Sequence, residues 1–228
     1  MPVADPATVA QLAQAVQPLT LARQRLLPVH PVVAPIVPTG GLVRGSTVSC
    51  TGEAAMSLAL VLAGGITQAG SWAGVVGLPS VGLAAAAELG VVLRRTVFVA
   101  APPPSQWATV LATLVDGTDV VVAGLPLSAR VGEARRLQAR LQARQAVLVV
   151  VGDPGPLSVD LAFDTTAGSW EGVGEGHGHL VRRRVTIEVS GRRSGRPRRS
   201  TVWLPGASGA PEAIDEPAGA PAARSRRG

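Results

Sequence analysis

Lysine and tyrosine are absent from this 228-residue chain, and cysteine occurs once, at Cys50. A single cysteine excludes an internal disulfide, which makes a reducing, cytoplasmic setting the expectation. Aromatic residues make up only 3% of the chain, so stacking of bases on rings is a poor basis for any nucleic-acid contact. No basic segment opens the chain: residues 1–17 carry Asp5 and several glutamines and do not read as a signal peptide. Long uninterrupted apolar runs are missing too. Residues 54–93 are the most apolar stretch, but Gly64, Gly65, Gln68, Gly70 and Ser71 cut it into pieces shorter than the roughly 20 residues a membrane span requires. No membrane contact is expected.

What is present is 46% hydrophobic and 16% charged, which excludes general disorder and suffices for one buried core at this length. All 21 basic side chains are arginine, and against 15 acids they leave a formal charge of +6. That balance suits an acidic partner, whether nucleic acid or protein. A composition rich in Ala, Arg, Gly and Pro also follows from GC-biased codon usage, so charge by itself names no partner.

Strand and helix patterns alternate along the chain. Residues 46–49, 72–78, 96–100, 119–123 and 146–151 read as strands, and residues 54–69, 81–89, 106–115 and 128–145 as helices. Strands apolar on both faces and separated by helices predict a mainly parallel sheet covered on both sides. The pattern then changes. Residues 161–165 and 181–189 read as strands, the second with Val185, Ile187 and Val189 on one face and Arg184, Thr186 and Glu188 on the other, so one face is wet. A turn-rich arginine loop over 190–197 and a returning strand over 200–204 complete an antiparallel β-hairpin. At the other end, Val9, Leu12, Val16 and Leu19 give residues 7–27 an amphipathic helical spacing, interrupted near Pro18.

The stretch IVPTGGLVRGSTVSCTGEAAMSLAL resembles the opening of the RecA family, where a threonine-glycine segment precedes a strand and a phosphate loop. The later stretch WEGVGEGHGHLVRRRVTIEV, followed by GRPRRSTVWLP, resembles the actinobacterial ImuA-like proteins, RecA-like relatives associated with mutagenic translesion synthesis. The resemblance covers residues 28–205. It implies a RecA-like α/β domain there, with an N-terminal helical segment over 1–27 and a disordered basic tail over 206–228. It also implies a role as a DNA-damage accessory protein whose partner is a Y-family polymerase homologue (ImuB-like) and, through it, an error-prone replicative-type DNA polymerase.

A RecA phosphate loop needs glycines whose N–H groups cradle phosphates, a lysine for their charge and a hydroxyl for magnesium. Here Gly52, Glu53, Met56 and Ser57 stand in the degenerate loop, the second glycine falls on Ser57 and the lysine on Leu58. Glu53 puts a negative charge beside a helix N-terminus, where it competes with a phosphate. The water-activating acid of the family falls near Leu78 and its magnesium-holding aspartate near Gly124. Without these groups phosphoryl transfer has no clamp, metal ligand or base, so no enzyme activity and no cofactor are expected.

Three other groups carry chemistry. His177 and His179, with Glu175 or Asp164, have a His-x-His spacing, but glycines on every side favour a turn entering a strand over a metal site, so no metal is expected. As part of the ImuA-like segment, Trp170, Glu171, His177 and His179 are candidates for partner contact. Arg136, Arg140 and Arg144 give one helix a basic face. Arg182, Arg183, Arg184, Arg192, Arg193, Arg196, Arg198 and Arg199 face only Glu188 in the C-terminal hairpin, which suits bidentate contact to phosphates or carboxylates. With Trp170 and Trp203 the only aromatics near them, DNA binding would be directed to the backbone and sensitive to salt. Trp72, Trp107, Trp170 and Trp203 are read as core or hairpin packing and Cys50 as a small apolar filler. Two other functions fit the same domain: a SulA-like inhibitor of the tubulin-like division protein, and a non-specific DNA-binding protein.

Overall fold

The computed structural model describes residues 25–126, 130–173, 178–192 and 195–214. Five runs of β-branched residues form the centre of a sheet because Val, Ile and Thr fit a pleated surface buried on both sides. They are β3 (Thr47–Gly52), β4 (Ala73–Val76), β5 (Thr96–Val99), β6 (Val120–Ala123) and β7 (Val147–Val151). Between them run α1 (Ala55–Gln68), α2 (Leu83–Glu88), α3 (Trp107–Gly117) and α4 (Val131–Arg144). Three more strands follow, β8 (Leu161–Val173), β9 (Gly178–Gly191) and β10 (Arg198–Trp203), and a short β11 (Glu212–Ala213) closes the edge.

The sheet runs β11-β10-β9-β8-β3-β7-β6-β4-β5. Every pair from β8 to β5 is parallel, and β8-β9, β9-β10 and β10-β11 are antiparallel. The architecture is the mainly parallel, helix-flanked sheet with an antiparallel end that the alternation predicts.

Alternate residues of one strand serve opposite cores, as a two-residue period requires. Val120 and Val122 of β6 join the cluster around α1, while Val121 and Ala123 join the cluster around α3 and α4. Val185, Ile187 and Val189 of β9 also face the α1 side and are fully buried, leaving Thr186 and Glu188 on the wet face. α1 is apolar all round because it is buried all round. Its Gly64–Gly65 step, which costs about 1 kcal/mol per glycine in helix propensity, is a packing device: a Cβ on Gly65 would lie 2.3 Å from the His30 nitrogen, where the chain crosses the helix.

Three features depart from the sequence pattern. The end of the expected helix over 7–27 is strand β1 (Leu26–Pro28), paired antiparallel with β2 (Gly41–Val43), while residues 1–24 lie outside the described residues. β8 and β9 extend well past the expected 165 and 181, to Val173 and from Gly178, and together form a long β-arm. Beyond Pro205, residues 206–214 continue into β11 on β10. No helix among the described residues is long and apolar enough to cross a membrane.

α3 and α4 are tied by one carboxylate. Asp116 accepts from Arg140 Nε at 2.7 Å and Nη2 at 2.5 Å, and from Arg144 Nε at 3.0 Å. The Arg140 hydrogen bonds hold its carboxyl at about 2, below the ordinary 3.8. A depressed carboxylate stabilises the fold above its ordinary value and ceases to do so as pH falls toward its folded value. The urea midpoint of the wild type should therefore exceed that of Asp116→Asn above about pH 4, and the gap should close by about pH 2; a gap independent of pH would exclude the clamp.

Candidate functional site

Where β3 hands over to α1 the chain turns at Gly52, whose φ of +85° favours glycine. A Cβ there would sit 1.9 Å from the Thr165 carbonyl oxygen, so β8 lies directly against the turn. The next two N–H groups are both taken by Thr165. Glu53 donates to its carbonyl at 3.2 Å and Ala54 to its hydroxyl at 3.0 Å. That hydroxyl in turn donates to the Thr51 carbonyl at 2.7 Å. The Glu53 carboxylate accepts the Ala167 N–H at 2.9 Å, so the acid that the sequence sets beside the helix N-terminus is tied to β8. Met56 and Ser57 follow in the first turn of α1, half-buried, and Leu58 lies fully inside. In this geometry the turn is closed by protein groups, and two donors that a phosphate would need are already paired.

Leu78 and Gly124 follow the ends of β4 and β6. The two strand ends approach closely, a Cβ on Gly77 lying 2.7 Å from the Gly124 oxygen and a Cβ on Gly124 lying 2.7 Å from the Gly77 oxygen. Leu78 packs against the core, and Gly124 donates its N–H to Val76 at 3.1 Å.

The candidate arginines fall into three separate groups. On α4, Arg140 and Arg144 share Asp116, and Arg136 lines a groove of about 800 Å³ between α3 and α4 with Trp107 and Leu137. At the carboxyl end of the sheet, Arg182 pairs with Glu171 at 2.7 Å and lies 4.1 Å above Trp203, which Arg184 flanks at 5.5 Å. Arg183 points to the opposite face, 5.2 Å from Trp170, and donates to the Leu204 carbonyl at 3.2 Å. Burial pulls Arg183 below the usual guanidinium range, against the opposing pull of the Glu53 carboxylate.

The third group, Arg192, Arg196, Arg198 and Arg199, lies around the β9–β10 turn. Ten residues of strand separate Arg182 from Arg192, about 33 Å, so the charge that is continuous in sequence forms two patches at opposite ends of the sheet. Arg193 and His177 lie outside the described residues. His179 is exposed on β9, and Asp164 accepts from the Thr51 hydroxyl at 2.9 Å.

Trp107 and Trp203 are buried as expected, whereas Trp72 and Trp170 are 46% and 40% exposed. Burial pushes the Cys50 thiol well above its ordinary range, consistent with a filler in the core. The residues that close the turn, Thr165 and Ala167, and the acids that neutralise α4 and Arg182, Asp116 and Glu171, act through partners 11 to 114 residues away. Of these the sequence singles out only Glu171, and that for partner contact.

A parallel sheet with a strand-turn-helix at its switch point and an antiparallel end defines a RecA-like domain. The solved crystal structure of the RadB recombinase superimposes with a TM-score of 0.60 over 81% of this chain and 97% of that one, at 11% identity, a likeness of fold. Residues 35–156, more than half of the chain, match the family described as the MT3502 N-terminal domain, and the chain belongs to that family. It is 40% identical over 111 residues to an uncharacterized protein of Mycobacterium tuberculosis, Rv3395c; the match spans 47% of this chain and about half, 53%, of that protein.

The turn yields a test. Thr165→Val leaves the Ala54 N–H without its acceptor and should cost about 1–3 kcal/mol, read by urea denaturation, while Thr165→Ser should recover most of that loss. Equal stability of all three chains would contradict the bridging role.

Proposed function

We propose that this chain is a non-catalytic RecA-like accessory protein of DNA damage tolerance, one that binds a Y-family polymerase homologue in mutagenic translesion synthesis. The observation that carries the proposal is the closed turn after β3. Thr165 and Glu53 tie it to β8, no lysine stands near it in sequence, and neither Leu78 nor Gly124 can supply an acid. A RecA-like sheet without those groups lacks the parts that phosphoryl transfer uses, which leaves binding as its function. The ImuA-like stretch from Trp170 to Val189 supports the partner.

In the fold this stretch forms the end of β8 and most of β9, an arm whose Trp170, Val173 and Leu180 are 40%, 59% and 54% exposed. Exposed apolar side chains on a projecting hairpin are the kind of anchor that protein interfaces bury. Through the polymerase homologue an error-prone replicative-type polymerase would be held in the same assembly.

The test is co-purification. The chain, co-expressed with the Y-family polymerase homologue encoded in the same genome, should elute with it, and Trp170→Glu with Leu180→Glu should weaken the association at least about tenfold, the usual scale for losing a buried anchor. Absence of association, or ATP turnover well above background by the purified chain, would contradict the proposal.

A further inference from the structure

Three groups of arginine compete as binding surfaces, and their acid partners separate them. Arg140 and Arg144 are clamped by Asp116. Arg182 and Arg183 sit near Glu171, Glu212 and Glu53, and Arg184 lies against the Trp203 ring. The amino end of the sheet is different. Arg196, Arg198 and Arg199 are exposed, and their side chains have no hydrogen-bond or ion-pair partner among the described residues.

Arg192 joins them to a polar pocket of about 370 Å³, lined also by Arg135, Gln138 and Gln142 of α4 and by Ser158 and Asp160. Helical spacing puts Arg135, Gln138 and Gln142 on one face of α4. Arg192 donates to the Ser158 hydroxyl and Gln138 to the Ser158 carbonyl at 2.9 Å. The acids nearby are Asp160, which accepts the Thr47 N–H at 3.0 Å, Asp164, which accepts from Thr51 at 2.9 Å, and Glu188, which stands opposite Arg199 across the strand pair, fewer than the arginines they accompany.

We propose that this amino-end surface, Arg135, Arg192, Arg196, Arg198 and Arg199, binds the sugar-phosphate backbone of nucleic acid. Guanidinium groups take phosphate oxygens two at a time, and a row of them needs no apolar anchor. Among the described residues, none of the exposed large apolar side chains lies in the pocket lining or between β9 and β10. An acidic protein would be expected to add such anchors. Without aromatics to stack on, the surface reads no base, so binding is independent of sequence. It lies at the opposite end of the sheet from the β8–β9 arm, and a polymerase homologue on the arm and nucleic acid on the arginines can be held together.

Fluorescence anisotropy of the full chain with a labelled single strand and with a duplex, between about 50 and 200 mM salt, tests the assignment. The chain should bind both regardless of sequence. Each phosphate contact adds about 0.7 to the salt slope on a single strand. The triple change Arg196→Gln, Arg198→Gln, Arg199→Gln, which breaks no described hydrogen bond, should therefore flatten the slope by about 2 and weaken binding about tenfold or more at low salt. Arg182→Gln with Arg184→Gln should leave both nearly unchanged. Failure of the wild type to bind at low salt would overturn the proposal, as would wild-type affinity in the triple variant. Equally tight binding of polyglutamate would reassign the surface to an acidic protein and overturn it too.

Discussion

Between Thr51 and Ala54 the chain passes from a buried strand into a buried helix through two exposed residues, Gly52 and Glu53, and the Ala54 N–H at the inner end of the passage is buried. The Thr165 hydroxyl bridges the passage, donating to the Thr51 carbonyl and accepting the Ala54 N–H, while its own carbonyl takes the Glu53 N–H. A buried donor left unpaired costs about as much as a lost hydrogen bond, and β8 supplies the acceptor that the Ala54 N–H needs. The contact aligns β8 on β3, and with it the antiparallel strands and the arm they form.

The same logic governs charge. Twenty-one arginines and fifteen acids would make a diffusely basic surface if they were mixed evenly, but the fold distributes the acids unevenly. Asp116 serves α4, and Glu171, Glu53 and Glu212 lie around Arg182 and Arg183. Surface ion pairs of this kind add little stability. They do decide which guanidinium groups stay open to a partner. Arg196, Arg198 and Arg199, whose side chains have no partner among the described residues, stand at the amino end of the sheet, while the exposed apolar side chains of the arm lie at the carboxyl end.

Much of the core was legible in sequence because its signals are local. Valine runs at 120–123 and 147–151 and the apolar stretch from Ala55 report burial residue by residue. The change to alternation at Val185, Ile187 and Val189 reports a sheet with one wet face. The far half of β8 was not legible. Its residues 166–173 mix Gly, Ser, Thr and Trp without a period, and they are strand because β9 pairs with them. β1 was hidden for the same reason, being held by β2 across a proline-rich segment. In the site, the missing lysine and acids are plain from residue types. The bridge from Thr165 is not, because its partners lie 111 and 114 residues away. Register divided the arginines: of the eight that crowd one segment of sequence, the seven described fall on two faces and two ends of a sheet once strands give each residue about 3.3 Å and an alternating direction.

The account turns on whether the corner after β3 is open to a nucleotide. Titration of the isotope-labelled chain with MgATP, following the backbone amide resonances of Gly52, Glu53 and Ala54, addresses it directly. The closed turn predicts that these resonances stay in place up to millimolar nucleotide; saturable shifts at all three would show that Thr165 yields its donors to a phosphate, and would contradict the account.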